Sequence, residues 1–271
     1  MKWDPEKYVQ FGDYRDRPFF DLTGRIHAEA PRHVVDLGCG PGNLTATLAD
    51  RWPGAQVVGL DSSPEMLATS KDHAAAAANL SYELADIEHW LPSGDTDVVV
   101  TNAALQWVPG HRKLLPLWLD ALKPGAWFAL QVPGNFNAPS HTLMRELADS
   151  PAWAGRLAGV LRHDDVVGEA AEYLEIMLDA GCAADAWETM YLQLLPGANP
   201  VLEWVRGTGL RPVLAALPDD EAREFEAEYS ARLDDAYPAG RHGTVFPFRR
   251  TFAVAQKTGY AACLPHDTKH S

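Results

Sequence analysis

Between His33 and Val132 short apolar runs alternate with amphipathic stretches, and that alternation constrains the fold more than any other feature of the chain. A run of β-branched and apolar residues reads as a buried strand, and a helical stretch between two such runs reads as a crossover. The pattern therefore specifies an α/β fold with a parallel sheet. Strands are predicted at 33–37, 56–61, 80–84, 97–101 and 126–132, with helices near 43–52, 64–78 and 111–122. The last helix stops at Lys123-Pro124-Gly125, where proline cannot continue it and glycine supplies the turn.

Upstream, Phe19, Leu22 and Ile26 recur at helical spacing behind Pro18, so an N-terminal helical segment is expected within residues 1–30. Downstream, 186–195 and 244–256 alternate as strands do, and 199–236 reads as helices broken at Gly207-Thr208-Gly209 and Leu217-Pro218. That stretch is too long for a crossover. It is expected as a helical insertion over about 199–240, ahead of the last strand and beside the ligand end of the sheet. The expected organisation is a helical segment over 1–30 serving as a lid on the substrate side, a main domain over 31–257, and a disordered polar tail over 258–271.

Composition narrows the function. Thirty-seven acidic against 23 basic residues in 271 give a net charge of −14, which disfavours a nucleic-acid partner held by counterion release. No apolar stretch approaches the ~18–20 residues that span a bilayer, so a soluble, cytoplasmic protein with no membrane partner is expected. Cys39, Cys182 and Cys263 are scattered and form no C-x-x-C pair, so they are read as reduced. Arg162-His163-Asp164-Asp165 is read as a loop and helix cap; with no further ligand evident, no metal is expected.

Val34-Val35-Asp36-Leu37-Gly38-Cys39-Gly40-Pro41-Gly42-Asn43 follows a strand and opens a helix, the place where a glycine-rich turn lets a ligand approach the backbone. A P-loop requires Lys-Ser/Thr after its last glycine, and Asn43-Leu44 stands there instead. A dinucleotide fingerprint requires its third glycine at position 43. Asp36, two residues before the first glycine, suits a cationic ligand better than a diphosphate.

This D-x-G-x-G-x-G segment resembles the first motif of the class I methyltransferases, whose S-adenosylmethionine carries an ammonium and a sulfonium. The resemblance implies a Rossmann-like sheet with helices on both faces. It also implies that Gly38 and Gly40 pass the methionine portion, that Asp36 binds its ammonium directly or through water, that Asp61 takes the ribose hydroxyls and that Asp86 reaches the adenine. Cys39, Ser62, Met66, Ile87, Asn102, Ala103 and Gln106 complete the implied cofactor wall. Each acid taken alone also reads as a helix cap or turn residue.

Five further segments resemble the trans-aconitate methyltransferases: Trp3-Asp4-Pro5; Tyr8-x-x-Phe11 with Arg15-x-Arg17-Pro18; Asn102-Ala103-x-x-Gln106-Trp107; Glu203-Trp204-Val205-x-Gly207-Thr208-Gly209; and Phe246-Pro247-x-x-Arg250. The likeness runs from Trp3 to about Lys257. It implies a monomethyl ester of trans-aconitate or a related small polycarboxylate; the alternatives are another small-molecule or carrier-bound carboxylate or phenol, or a cofactor-binding regulator without turnover. A carboxylate is ionised at pH 7, so no catalytic base is expected. Arg15, Arg17, Trp107, His141 and Arg250 are the candidate acceptor residues, with Arg206 and Arg211 beside the Gly-Thr-Gly break, and Arg17 is also weighed as a ligand of the cofactor's carboxylate.

Overall fold

The computed structural model describes residues 12–164 and 166–259, without the side chains of Asp13, Arg15, Lys71, Asp72 and Ala76. Trp3, Tyr8, Phe11, Asp165, Cys263 and the tail beyond Gly259 lie outside the described residues. Helix α1 (Gly12–Thr23) precedes β1 (His33–Leu37), α2 (Asn43–Arg51), β2 (Gln56–Asp61), α3 (Pro64–Ala76) and β3 (Leu80–Leu84). Then come β4 (Val98–Asn102), α4 (His111–Ala121), β5 (Trp127–Pro133), α5 (Pro139–Ala148), the single turn α6 (Ala154–Leu157) and α7 (Ala170–Asp179). The chain ends with β6 (Cys182–Leu195), α8 (Pro200–Arg206), α9 (Arg211–Ala216), α10 (Asp219–Ala236), the two-residue β7 (Ala239–Gly240) and β8 (Gly243–Lys257).

The strands form one sheet in the order β3-β2-β1-β4-β5-β8-β6, with β7 paired to β8. β1 to β5 are parallel, while β8 runs antiparallel to both β5 and β6. Strand order reverses between β1 and β4, and such a switch point opens a crevice at the carboxyl ends of the strands. Side chains alternate across the sheet. Val34, Val98 and Val100 face Phe19, Leu22, Leu48 and Trp52, whereas Leu37, Val99 and Phe128 face Leu115, Trp118 and Tyr173.

β6 and β8 outlast β5. From Thr244 to Arg249 strand β8 pairs with β6 and projects past the parallel strands, carrying Phe246 and Phe248 into a third core with Trp153, Trp204, Phe225 and Tyr229. That core joins α5 to α8–α10 over the crevice. The predicted breaks fall where expected, at 207–210 and 217–218, and Asp219, Asp220 and Glu221 lie in the first turn of α10. β4 and β5 are each displaced by one residue from the pattern, and β6 begins four residues earlier. The cap expected at 162–165 falls instead on Glu169, which makes a reciprocal capping box with Glu172. Among the described residues no helix is long and apolar enough to cross a membrane.

Candidate active site

The glycine loop is held from both sides. Gly38 and Cys39 donate their amides to Leu60 O, and Gly40 donates to Asp61 Oδ2 at 2.9 Å. Gly38 has φ +76°, and a Cβ there would lie 2.3 Å from Ala104 Cβ, so only glycine closes this turn against the loop after β4. Gly42, at φ +86°, is covered by the Tyr82 ring, and the Tyr82 hydroxyl donates to Gly42 O at 2.7 Å.

Beside this loop lies a cleft of about 200 Å³, lined by Gly38, Gly40, Asp61, Ser62, Met66, Asp86, Ile87, Ala103 and Trp107 from the cofactor and acceptor candidates. Glu88, Ala104 and Val108 complete it and had no sequence signal beyond adjacency. Asp61 is fixed by two amides, Gly40 N on Oδ2 and Ser63 N on Oδ1 at 2.8 Å. Ser63 caps α3 by accepting from Met66 N at 3.3 Å, which places Met66 in the cleft wall. Asp86 accepts from Glu88 N at 2.9 Å at the head of a short 3₁₀ turn.

Four of the expected cofactor residues stand elsewhere. Asp36 is 3% exposed and lies beneath the loop, where its carboxylate accepts from Thr45 Oγ1 at 2.7 Å rather than lining the cleft. Burial pushes its pKa from 3.8 up to about 7, the Thr45 hydrogen bond opposing and the Asp61 charge adding. Cys39 is buried under the same turn, and burial raises its thiol pKa. Asn102 ends β4 outside both cavities, its Oδ1 without a hydrogen-bond partner among the described residues. Gln106 donates Nε2 to Ala103 O at 2.6 Å and lines the neighbouring cavity instead.

That second cavity, of about 480 Å³, shares Ala103 and Trp107 with the first. Ala103 adopts φ +54°, a conformation uncommon for a residue with a Cβ, at the turn where the two spaces join. Arg250, 5% exposed, comes from β8, donates Nη1 to Gln131 Oε1 at 3.2 Å and stacks 4.5 Å from the Phe248 ring centroid. His141 lines the cavity from α5, and burial together with the charge of Arg145 lowers its pKa to about 4, so it is neutral at pH 7.

Arg145, Arg162 and Asn135 were missed. Arg145 donates to Phe136 O at 2.8 Å, and Arg162 donates to Gln106 O at 3.0 Å. Asn135, two residues past β5, was findable from its place beyond a strand end, whereas Arg145 sits on a helix that the pattern over 134–185 did not reveal. Arg17 lines neither cavity: its side chain is 70% exposed, 3.6 Å from Asp21, with its guanidinium carbon 5.2 Å from the Tyr191 ring centroid. The side chain of Arg15 lies outside the described residues. Arg206 is paired with Glu203 and Glu226, and Arg211 also lies off the cavity wall, although Pro212 lines it.

Residues 34–125 match a family described as a methyltransferase domain. The YcgJ protein of Bacillus subtilis shares the fold over 92% of this chain and all of its own, with a TM-score of 0.58 at 13% identity. A phosphoethanolamine N-methyltransferase of Haemonchus contortus, solved with S-adenosyl-L-methionine, has a TM-score of 0.53 at 18% identity over 89% of this chain and 52% of its own. Trans-aconitate 2-methyltransferases are much nearer in sequence. That of Streptomyces avermitilis is 55% identical over 94% of this chain and 97% of its own, and that of Rhodococcus jostii 54% over 94% and 99%. The Mycobacterium tuberculosis enzyme is 48% identical over 95% and 97%. With likeness of this degree over nearly whole chains, and a glycine-loop cleft joined to an arginine-bearing cavity, the chain belongs to the trans-aconitate 2-methyltransferase family of S-adenosylmethionine-dependent, class I methyltransferases.

Proposed function

We propose that the protein esterifies one carboxylate of trans-aconitate, or of a closely related small polycarboxylate, to the monomethyl ester. The observation that carries this reading is the meeting of the two cavities at Ala103 and Trp107, which lets a donor on one side face an acceptor on the other. The cleft fits S-adenosylmethionine. Gly40 leaves open space where a Cβ would project, Asp61 is held in place by two amides, and the buried Asp36 carboxylate gains from a cation nearby. Gly38, Gly40, Asp61, Ser62, Met66, Asp86 and Ile87 would hold it. When bound, it supplies a methyl group on a positively charged sulfur.

The protein's own residues then have three tasks. Arg250 and Asn135 hold carboxylates, with a planar guanidinium and an amide donor suited to oxygen pairs. Trp107 and Ala103 exclude water where the cavities join, and orientation there replaces a catalytic base, because the acceptor oxygen is already ionised. The apolar wall favours a reaction in which opposite charges disappear. An arginine gripping the reacting carboxylate would stabilise the starting state, so the guanidiniums serve the carboxylates that remain.

The test is incubation with S-adenosylmethionine and a panel of carboxylic acids, read by mass spectrometry for a base-labile methyl ester. Trans-aconitate is expected to be converted. Absence of product from every di- and tricarboxylate would overturn the acceptor assignment.

A further inference from the structure

The cofactor cleft and the larger cavity take walls from segments far apart in the chain. The short 3₁₀ turn Leu105–Trp107 is followed by Val108, and both Trp107 and Val108 line the cofactor cleft. Val166 and Val167, just ahead of α7, line the larger cavity. Behind these two walls, outside either cavity, lie His111, the first residue of α4, and Tyr173 on α7, 62 residues apart and both fully buried.

Their hydrogen bonds run in one direction. Burial lowers the His111 pKa against the hydrogen bond to Val108, and the Arg112 charge adds to the lowering, so the ring is neutral at pH 7. A carbonyl oxygen only accepts, so the single ring proton sits on Nδ1, 2.8 Å from Val108 O. Nε2 is then an acceptor and takes the Tyr173 hydroxyl proton at 2.8 Å. With its own proton committed, the Tyr173 oxygen accepts from the Gly168 amide at 3.1 Å. A buried chain thus runs from Gly168 through Tyr173 and His111 to Val108, and the two rings stack with centroids 5.9 Å apart at 22°.

Resting on the carboxyl-methylation reading above, we propose that Tyr173 and His111 are positioning residues for methyl transfer: their chain holds the wall at Trp107 and Val108 in register with the wall at Val166 and Val167. Neither residue lines the space for donor or acceptor. They act through the segments they tie together, and a transfer that relies on orientation is sensitive to that register, because a misplacement of about 1 Å can cost about a hundredfold in rate. Another link between the same helices, Arg112 to Glu172 at 3.2 Å, lies at the surface and contributes little.

The whole chain and its variants are compared in turnover of trans-aconitate with S-adenosylmethionine, with calorimetry of S-adenosylhomocysteine binding and thermal melts alongside. Tyr173→Phe keeps the stacked ring and removes the hydroxyl. Its kcat is expected to fall about tenfold or more, with KM and cofactor affinity within about threefold, as for alignment that matters in the transition state. His111→Asn keeps a donor for Val108 O and loses the acceptor for Tyr173, so a similar fall is expected. The double variant is expected to lose no more than about twofold beyond either, since one broken link already opens the chain. Arg112→Gln is expected to keep kcat within about twofold. A loss confined to KM or to the melting temperature, losses that multiply in the double variant, or an equal fall in Arg112→Gln overturns the positioning role while the parent still esterifies trans-aconitate. In the parent chain, nitrogen NMR at pH 7 is expected to find the His111 ring proton on Nδ1, and a proton on Nε2 overturns the chain without recourse to any variant. No ester from any di- or tricarboxylate with the parent overturns the acceptor reading, and this assignment with it.

Discussion

Asp36 on β1 and Asp61 on β2 stand near the carboxyl ends of neighbouring strands, yet one is sealed under the glycine loop and the other lines the cleft. The sealed acid makes stability depend on pH. An unfolded chain releases this proton near pH 3.8 and the folded chain keeps it until about pH 7, so this contribution falls as pH rises across that window. The whole difference is at most about 4 kcal/mol. Asp36→Asn is therefore expected to be more stable than the parent at pH 8 without cofactor, the gap closing toward pH 5; an equal gap in urea melts at both pH values would refute the assignment. His141 contributes with the opposite sign: the fold keeps it neutral to about pH 4 while the unfolded chain takes up the proton near 6.5, so stability is lost as pH falls through that window. Arg250→Gln is expected to raise the acceptor KM about tenfold or more with a smaller effect on kcat, because a charged hydrogen-bonding group is lost from a buried wall. Arg17→Ala is expected to leave that KM within twofold, since its ion pair with Asp21 is exposed and lies off both cavities.

At the scale of elements, the glycine loop and α5 are each positioned by contacts from elsewhere. Gly38→Ala places a Cβ 2.3 Å from Ala104 Cβ in a left-handed conformation, whereas a Cβ at Gly40, also left-handed at φ +57°, meets nothing within 4 Å. Gly40→Ala is expected to cost about 1 kcal/mol and Gly38→Ala clearly more, with weakened cofactor binding; equal denaturation midpoints for the two would contradict the packing argument. The first turn of α5 is pinned by α10 and the residue after it. Ser140 N donates to Tyr237 Oη at 3.0 Å, and Tyr229 Oη donates to Ser140 O. Tyr237→Phe strands a buried amide at about 1–3 kcal/mol. Because α5 carries His141 and Arg145, that variant should raise the acceptor KM and leave cofactor affinity unchanged, which calorimetry with each ligand separately would check.

For the molecule as a whole, a net charge of −14 repels the polyanion that the site must admit. Arg145, Arg162 and Arg250 line the acceptor cavity with Asp164 as the facing acid, so attraction is local while repulsion is general. Screening shortens the reach of the general field from about 30 Å at 0.01 M salt to about 8 Å at 0.15 M. The kcat/KM for trans-aconitate is accordingly expected to hold steady or rise over that range. A steep fall would overturn this expectation by revealing attractive steering by a surface cation patch.

The local pattern was sufficient for β1, β2 and β3, whose limits match to the residue, because alternation, strand-end acids and glycine turns are written in consecutive positions. Asp61, Asp86 and the two loop glycines, which the glycine turn and strand ends singled out, line the smaller cleft, and Arg250, named through the family resemblance, lines the larger cavity. The pattern did not separate Asp36 from Asp61. Thr45 and the closed loop above it decide that difference, and both depend on how α2 packs. Nor did it reveal that Gln131 orients Arg250 from 119 residues away, that Tyr237 holds Ser140 from 97 residues away, or that Asn135 opens into the same space. Sequence by itself determined the parallel core and the glycine loop, where neighbouring residues do the work. The tertiary structure decided the larger cavity, proposed above to take the acceptor, because its walls come from β5, β8, α5, α8 and α9, segments whose meeting no local period encodes.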